Sequence, residues 1–434
     1  LAVVDIEVEV LPMPMTMTQK ILSAASGRDV LPGDVINVPV SGLAVHDSAP
    51  MGIFNTYPDA RVWDPTKIVI CYDHFSRTNM APYHARFSAF IREQGIPAEN
   101  VFAYGRQGIS HQVPGEEGFV LPGTVYAVFD TQGATLGALN CFAFTSLLTT
   151  PSVMALGTAL VVVPEAVDVE LYGQLSQGLT SKDLTFHLQA RYGDELLARV
   201  LEFRGPGVAN LSVDQRLGIA NASNNLGALT MIFPGDDILA AYLNPRVREP
   251  YAFVEPDPGA TYATKMRIDL SEVQPLVSGP DAIEKIGALE SVIGLPVQAA
   301  YIGSCSAGRL DDLLLAAAVL KGRTVDPSVR FVVTPISSEV MREASARGAI
   351  ATFIAAGAMV TPPGCGACYS GNQSPLLLED GERCIASSVS NDPGRMGSKS
   401  AEIYLSNPAV VAASAIEGRI ADPRPYLLRE RVSP

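Results

Sequence analysis

Positive charge is scarce in this 434-residue chain: 31 lysines and arginines stand against 45 aspartates and glutamates, a formal net charge of −14 at pH 7. That balance argues against nucleic acid or an anionic membrane as partner, since either calls for a basic face. Charged residues of both signs make up only 18%, while hydrophobic residues make up 47%, enough for substantial cores. No apolar run is long enough to cross a bilayer; Val153 to Val163 comes nearest and is cut off by Pro164 and Glu165. Residues Leu1 to Pro14 alternate apolar and acidic residues and lack the basic start and long apolar centre of a secretory signal. Six cysteines over this length do not make a disulfide framework, so a reducing cytoplasm is the expected compartment. Internal repeats and low-complexity segments are absent.

Short apolar runs punctuate the chain. Ile68–Cys71, Thr124–Phe129 and Phe331–Thr334 read as buried strands, and Met80–Gly95 and Leu310–Gly322 carry helical periodicity. Asp311 and Asp312 fall in the first turn of the latter helix and Lys321 in its last, as the helix dipole favours. Strands alternating with helices imply an α/β protein whose parallel sheets are flanked by helices. Pro-, Gly- and acid-rich seams near residues 165 and 272 predict three units, 1–165, 166–272 and 273–434. Residues 1–14 are an expected extension.

Three cysteines sit in glycine-rich loops: Cys305 in Ile302-Gly-Ser-Cys-Ser-Ala-Gly-Arg309, and Cys365 and Cys368 in Gly364-Cys-Gly-Ala-Cys-Tyr369. Thiolates are soft ligands for iron–sulfur clusters or zinc. Three of them can hold a four-iron cluster by three corners; with Cys384 as a fourth, the same set is compatible with zinc. Cys71 and Cys141 lie in apolar contexts and read as core residues.

With Asp73-His74, Gly108-Ile-Ser-His111, Lys182-Asp183, Gly394-Arg-Met-Gly397 and Tyr404-Leu-Ser-Asn-Pro408, these loops resemble the aconitase superfamily. The likeness is to the large subunit of isopropylmalate/homoaconitate-type dehydratases and runs from about Met17 to Pro423. It implies a three-domain aconitase-like large subunit without the swivel domain. The activity implied is that of a cluster-dependent hydro-lyase, a dehydratase or isomerase, acting on a small hydroxy acid. Cys305, Cys365 and Cys368 would ligate the cluster, [4Fe-4S] with one non-cysteine iron. Asp73, His74, His111 and Asp130 match catalytic positions, and Ser304, Asn221 and Asn225 fall beside the cluster. His46, Thr131, Gln132, Ser390 and Arg395 fall where the substrate binds, with Arg395 gripping a carboxylate and Thr131 supporting it by hydrogen bonding. His84 and His187 match nothing and are expected to be structural or exposed.

The departures from the pattern are specific. The family's Asp-Ser-His-Thr stands as Asp130-Thr-Gln-Gly133, and a glutamate expected to pair with that histidine is Asn225. Both members of one ion pair have become amides, which predicts a Gln132–Asn225 hydrogen bond in its place. A carboxylate-gripping arginine is Ser390, and Ser-Cys-Thr-Asn has become Ser304-Cys-Ser-Ala307. The metal cradle is kept while tricarboxylate-type recognition is dismantled, so the substrate is expected to differ from isopropylmalate or citrate. The alternative is a cluster-bearing scaffold or sensor without dehydratase activity. Since the chain ends at Pro434, the resemblance implies a separate small swivel-domain subunit that supplies a serine base, oriented by Asp130.

Overall fold

The computed structural model describes residues 13–48, 59–74, 81–369 and 374–427. Residues 1–12 of the expected extension and the side chain of His84 lie outside that description, while His187 is half-buried.

The expected strands form because their residues are apolar on both faces. Ile68–Cys71 and Val125–Phe129 sit in the middle of a five-stranded sheet and have no solvated face. That sheet runs Val101–Phe102, Ile68–Cys71, Gly42–His46, Val125–Phe129, Phe142–Thr145, parallel throughout. A second, also parallel, runs Thr230–Ile232, Val200–Arg204, Ala166–Tyr172, Thr264–Asp269. The third is mixed. Glu402–Leu405, Arg383–Ala386, Ala299–Gly303, Arg330–Thr334 and Met359–Val360 are parallel, and Leu276–Ser278 and Ile286–Ala288 add an antiparallel edge. Val35–Pro39 and Thr158–Val162 make a separate antiparallel pair.

Apolar packing does not follow the sheets one for one. The third sheet has its own core, built from Ile302, Leu313, Phe331, Val333, Ile385 and Val411 among others. One face of the first sheet and the second sheet share a single core, in which Ala44, Val69 and Val128 pack with Val167, Leu201 and Met231. The helix Met17–Ser26, capped by Thr16 and closed by Gly27, belongs to the first sheet's other face. Its first N–H groups reach the second sheet: Met17 N–H and Thr18 N–H donate to the Glu202 carboxylate at 3.0 and 2.7 Å.

In both larger sheets the chain leaves a central strand in opposite directions, which opens a crevice at the carboxyl ends of the strands. In the first sheet the crevice lies between Gly42–His46 and Val125–Phe129, so His46 and Asp130 face it. In the third it lies between Ala299–Gly303 and Arg383–Ala386, so Cys305 and the loop from Ser387 face it. The two sheets meet at Gly108–Ile109, where Gly108 bridges Ser337 and Ile109 N–H donates to the Ile336 carbonyl at 3.1 Å.

A buried polar chain reinforces that junction. Arg309, wholly buried, donates from Nη1 to the Cys305 carbonyl at 2.7 Å and from Nε to Gln112 Oε1 at 3.1 Å. Gln112 Nε2 donates to Glu116 Oε1 at 2.9 Å, and Ser337 Oγ donates to the same oxygen at 2.8 Å. Burial, with Glu339 adding to it, raises the Glu116 pKa to about 7 from its ordinary 4.5. The folded chain therefore favours the acid form. The stability this group contributes is complete below pH 4.5 and is lost as the pH rises through about 7. Glu116→Gln stays neutral, so it should match wild type at pH 4 and exceed it at pH 8 by up to ~3 kcal/mol. Urea unfolding at both pH values checks this; an equal difference at both would remove Glu116 from the titrating groups.

Candidate active site

The three cysteines come from two loops of the third sheet and meet over the first. Cys305 follows the strand Ala299–Gly303, and Cys365 and Cys368 follow Met359–Val360. Gly303 has φ +146°, and a side chain there would strike the Thr334 carbonyl oxygen at 2.4 Å. Gly364 has φ +144°, and a Cβ would lie 2.6 Å from the Asp73 carbonyl oxygen. That carbonyl accepts the Cys365 N–H at 3.0 Å, so the cysteine loop is pinned to the residue that opens the Asp–His pair.

The thiols of Cys305 and Cys368 are buried and that of Cys365 is half-buried; all are free of disulfides and close enough that charge on Cys368 and Cys365 acts on Cys305. Burial, then those neighbours, pushes the Cys305 thiol well above its usual range; burial pushes Cys365 up to about 12, with His74 opposing. Cys368 goes the other way: burial would raise it, but the Arg395 guanidinium, whose Nη2 donates to its sulfur at 3.4 Å, brings it down. Several buried polar atoms here have no partner: Ser110 Oγ, Arg309 Nη2 and Arg395 Nε. Ser304 has φ +61°, a left-handed backbone that a non-glycine residue adopts at a cost. Three converging soft donors among unsatisfied polar atoms fit a thiolate-held metal cluster. Cys384 does not join them. Its strand pairs it with Ala299, four residues below Gly303, so roughly 13 Å of strand separates it from the crevice. A four-cysteine zinc site is thus excluded. Cys71 and Cys141 are core residues.

The imidazoles face the thiols. His74 Nδ1 donates to Asp73 Oδ1 at 2.6 Å, which turns Nε2 toward the Cys365 sulfur at 3.8 Å. Asp73 Oδ2 accepts the Ser110 N–H at 3.0 Å, and His74 N–H goes to Asp47 Oδ1 at 3.1 Å. Burial disfavours charge on both partners. The His74 and His46 rings nevertheless hold Asp73 at about 2, while Cys365 and Asp73 raise His74 well above its usual value. His46 stacks on His74, ring centroids 4.2 Å apart. Its Nδ1 accepts the Ser48 N–H at 3.3 Å, which puts its proton on Nε2, 3.7 Å from Asp130 Oδ2. Asp130 Oδ1 lies 3.5 Å from His111 Nε2. Burial, then repulsion from His74, lowers His46 to about 4, and burial lowers His111. The ring beside the thiols is thus the one biased toward charge. His46, Asp47, Asp73 and His74 bring ligand-type atoms within 4.8 Å of one another, yet Asp73 spends both oxygens on His74 and Ser110.

The structure corrects two expected contacts. Gln132 and Asn225 do not hydrogen-bond: Gln132 Oε1 accepts from Thr131 Oγ1 at 2.5 Å, and Asn225 Nδ2 donates to the Val389 carbonyl at 3.2 Å. A main-chain acceptor satisfies the asparagine, so the lost ion pair has no amide replacement. Thr131 does not bond Arg395, because its hydroxyl serves its own turn, through Gln132 and Asp130. The Ser390 hydroxyl donates to the Asp392 carboxylate. Asn221 Nδ2 donates to Thr135 Oγ1 at 3.1 Å, and that hydroxyl lies 3.1 Å from His111 Nδ1. Thr135, Gln112 and Arg309 had no place in the sequence reading. Arg309 stood inside the Cys305 motif, but nothing in its local sequence announced its burial or its partner Gln112.

Gly364→Ala tests the seam between the loops. It should destabilise the chain by about 1–3 kcal/mol and lower the iron and sulfide retained per chain on anaerobic purification. Wild-type values for both would show that the close approach to Asp73 is not needed.

The sequence profile of the aconitase family, aconitate hydratase, matches residues 72–293 and 282–418. The chain is 38% identical over 420 residues to the 3-isopropylmalate dehydratase large subunit 1 of Methanopyrus kandleri, covering 95% of this chain and 99% of that one. It is 38% identical over 416 residues to the 3-isopropylmalate dehydratase large subunit of Caldanaerobacter subterraneus subsp. tengcongensis, covering 94% and 98%. With the probable methanogen homoaconitase large subunit of Methanothermobacter thermautotrophicus it shares 37% identity over 422 residues, covering 94% and 97%. The likeness to the solved holo-form of Thermococcus kodakaraensis aconitase X is looser: TM-score 0.46 and 11% identity, over 86% of this chain and 89% of that one. The chain belongs to the aconitase family, as a large-subunit member of its hydro-lyases.

Proposed function

We propose that this chain is the catalytic large subunit of an iron–sulfur-dependent dehydratase acting on a small hydroxy acid other than isopropylmalate. The observation that carries the reading is the convergence of three thiols with an Asp–His pair and a half-satisfied arginine in one crevice. Cys305, Cys365 and Cys368 hold the cluster, [4Fe-4S] with one iron free of cysteine. Bound there, it supplies a Lewis acid that makes a hydroxyl a better leaving group. His74, biased toward its protonated form by Asp73, donates the proton that the departing hydroxyl needs. Asp130 orients His46 and His111. Arg395 keeps Nε unspent for a substrate carboxylate. No second guanidinium stands at Ser390, which supports a substrate with one fewer carboxylate grip. The names of the relatives support a small subunit as partner; in this reading it brings a serine that removes the carbon-bound proton. Three units, 1–165, 166–272 and 273–434, belong to this reading, and the division of the main strands into three sheets supports them. No helix among the described residues is long and apolar enough to cross a membrane, which agrees with assignment to the cytoplasm.

Anaerobic reconstitution with iron and sulfide, with and without the candidate small subunit, followed by a screen of hydroxy acids for alkene formation, tests the reading. Turnover should require both chains, and isopropylmalate should be a poor substrate. Arg395→Lys keeps the charge but loses the fork, so kcat/KM on the true substrate should fall roughly 10- to 100-fold, the worth of one hydrogen bond to a charged group. A loaded cluster with no turnover on any hydroxy acid would favour a scaffold or sensor instead.

A further inference from the structure

Lys182 opens the helix Ser181–Tyr192 and is 5% exposed, at the base of a cleft between this helix and Val213–Asn221. Its ammonium donates to Ser306 Oγ at 3.0 Å and to the Ser388 carbonyl at 2.7 Å, and lies 5.0 Å from the centre of the Phe186 ring. Both acceptors are neutral, and one N–H remains unspent. Among the described residues no carboxylate forms an ion pair with it. Its neighbour Asp183 is turned to Asn407 and to the Thr180 N–H, at 2.9 and 2.8 Å. A buried ammonium with no counter-ion is expensive, and a chain keeps one where a negative group arrives later. Burial lowers its pKa to about 8, opposed, in order, by the charges of Cys368, Cys305, Asp183 and Asp312. Both contacts border the cysteines: Ser306 follows Cys305, and Ser388, in the loop after Arg383–Ala386, precedes Val389, whose backbone N–H helps hold the Cys368 thiol down.

We propose that Lys182 is the fixed counter-charge of the cluster held by Cys305, Cys365 and Cys368, and that its ammonium raises the cluster's reduction potential. The inference rests on the cluster reading above. The competing role is a cross-brace, in which Lys182 only ties the Cys305 loop to the loop after Arg383–Ala386 through Ser306 and Ser388. Charge and bracing separate because they act on different states of the protein: a brace serves the metal-free chain, and a counter-charge serves only the loaded one.

The test uses the whole chain, loaded anaerobically with iron and sulfide alone, as wild type, Lys182→Met and Lys182→Arg. Iron and sulfide content, the midpoint potential from a redox titration followed by electron paramagnetic resonance, and thermal melting with and without metal are measured. Removing a cation makes an added electron less welcome. Lys182→Met should therefore lower the potential by at least a tenfold change in the reduction equilibrium, 59 mV for a one-electron couple, and Lys182→Arg should restore it. Metal-free Lys182→Met should melt no lower than metal-free wild type, while its loaded form melts below loaded wild type. An unmoved potential in a loaded variant overturns the proposal. A metal-free variant that melts lower or does not fold makes Lys182 a brace and overturns it too. If wild type takes up no cluster, the cluster reading falls and this inference with it; if wild type loads normally, only the inference is at stake.

Discussion

The hydrogen bond from Cys365 N–H to the carbonyl of Asp73 is 3.0 Å long and joins two sheets that otherwise have separate cores. One of its partners begins the acid–base pair; the other is a thiol of the proposed metal set. Because Gly364 lets the backbones approach that closely, main chain fixes the cysteine loop against the start of the Asp73–His74 pair. His74 can then face the Cys365 sulfur without a flexible tether between them.

Burial gives the site its electrostatic character. Water would level these groups toward ordinary pKa values; in its absence neighbours decide. Burial drives His46 and His111 toward neutrality, while Asp73 and the Cys365 sulfur pull His74 toward its cationic form. Cys368 alone of the three thiols is lowered, and it is the one that touches a guanidinium. A division of labour among chemically similar side chains thus follows from who stands next to whom.

Much of this was legible in the sequence where chemistry is written locally. The glycine-flanked cysteines, the adjacent Asp73-His74 and the apolar strand runs each carry their meaning within a few residues. Contacts made across the fold were not legible. Gln112 meets Arg309 across 197 positions, and Lys182 meets Ser388 across 206, with no periodicity or spacing to announce either. The expected Gln132–Asn225 bond failed for a related reason: matching two substitutions assumed that each amide had only the other to satisfy. A carbonyl at Val389 and a hydroxyl at Thr131 were nearer. Side chains compete with main chain for donors, and one-dimensional comparison does not see the competition.

The core shared by the first two sheets bears on how the chain is made. Ala44, Val69 and Val128 cannot finish packing until Val167, Leu201 and Met231 have been synthesised, and Val273 closes the same cluster. The opening helix waits as well, since Glu202 receives its first N–H groups. At about 5–20 residues per second, the interval between the last strand of the first sheet and the end of that cluster is on the order of ten seconds. For that time the ribosome carries a half-covered parallel sheet, before Cys305, the first cysteine of the site, has been translated.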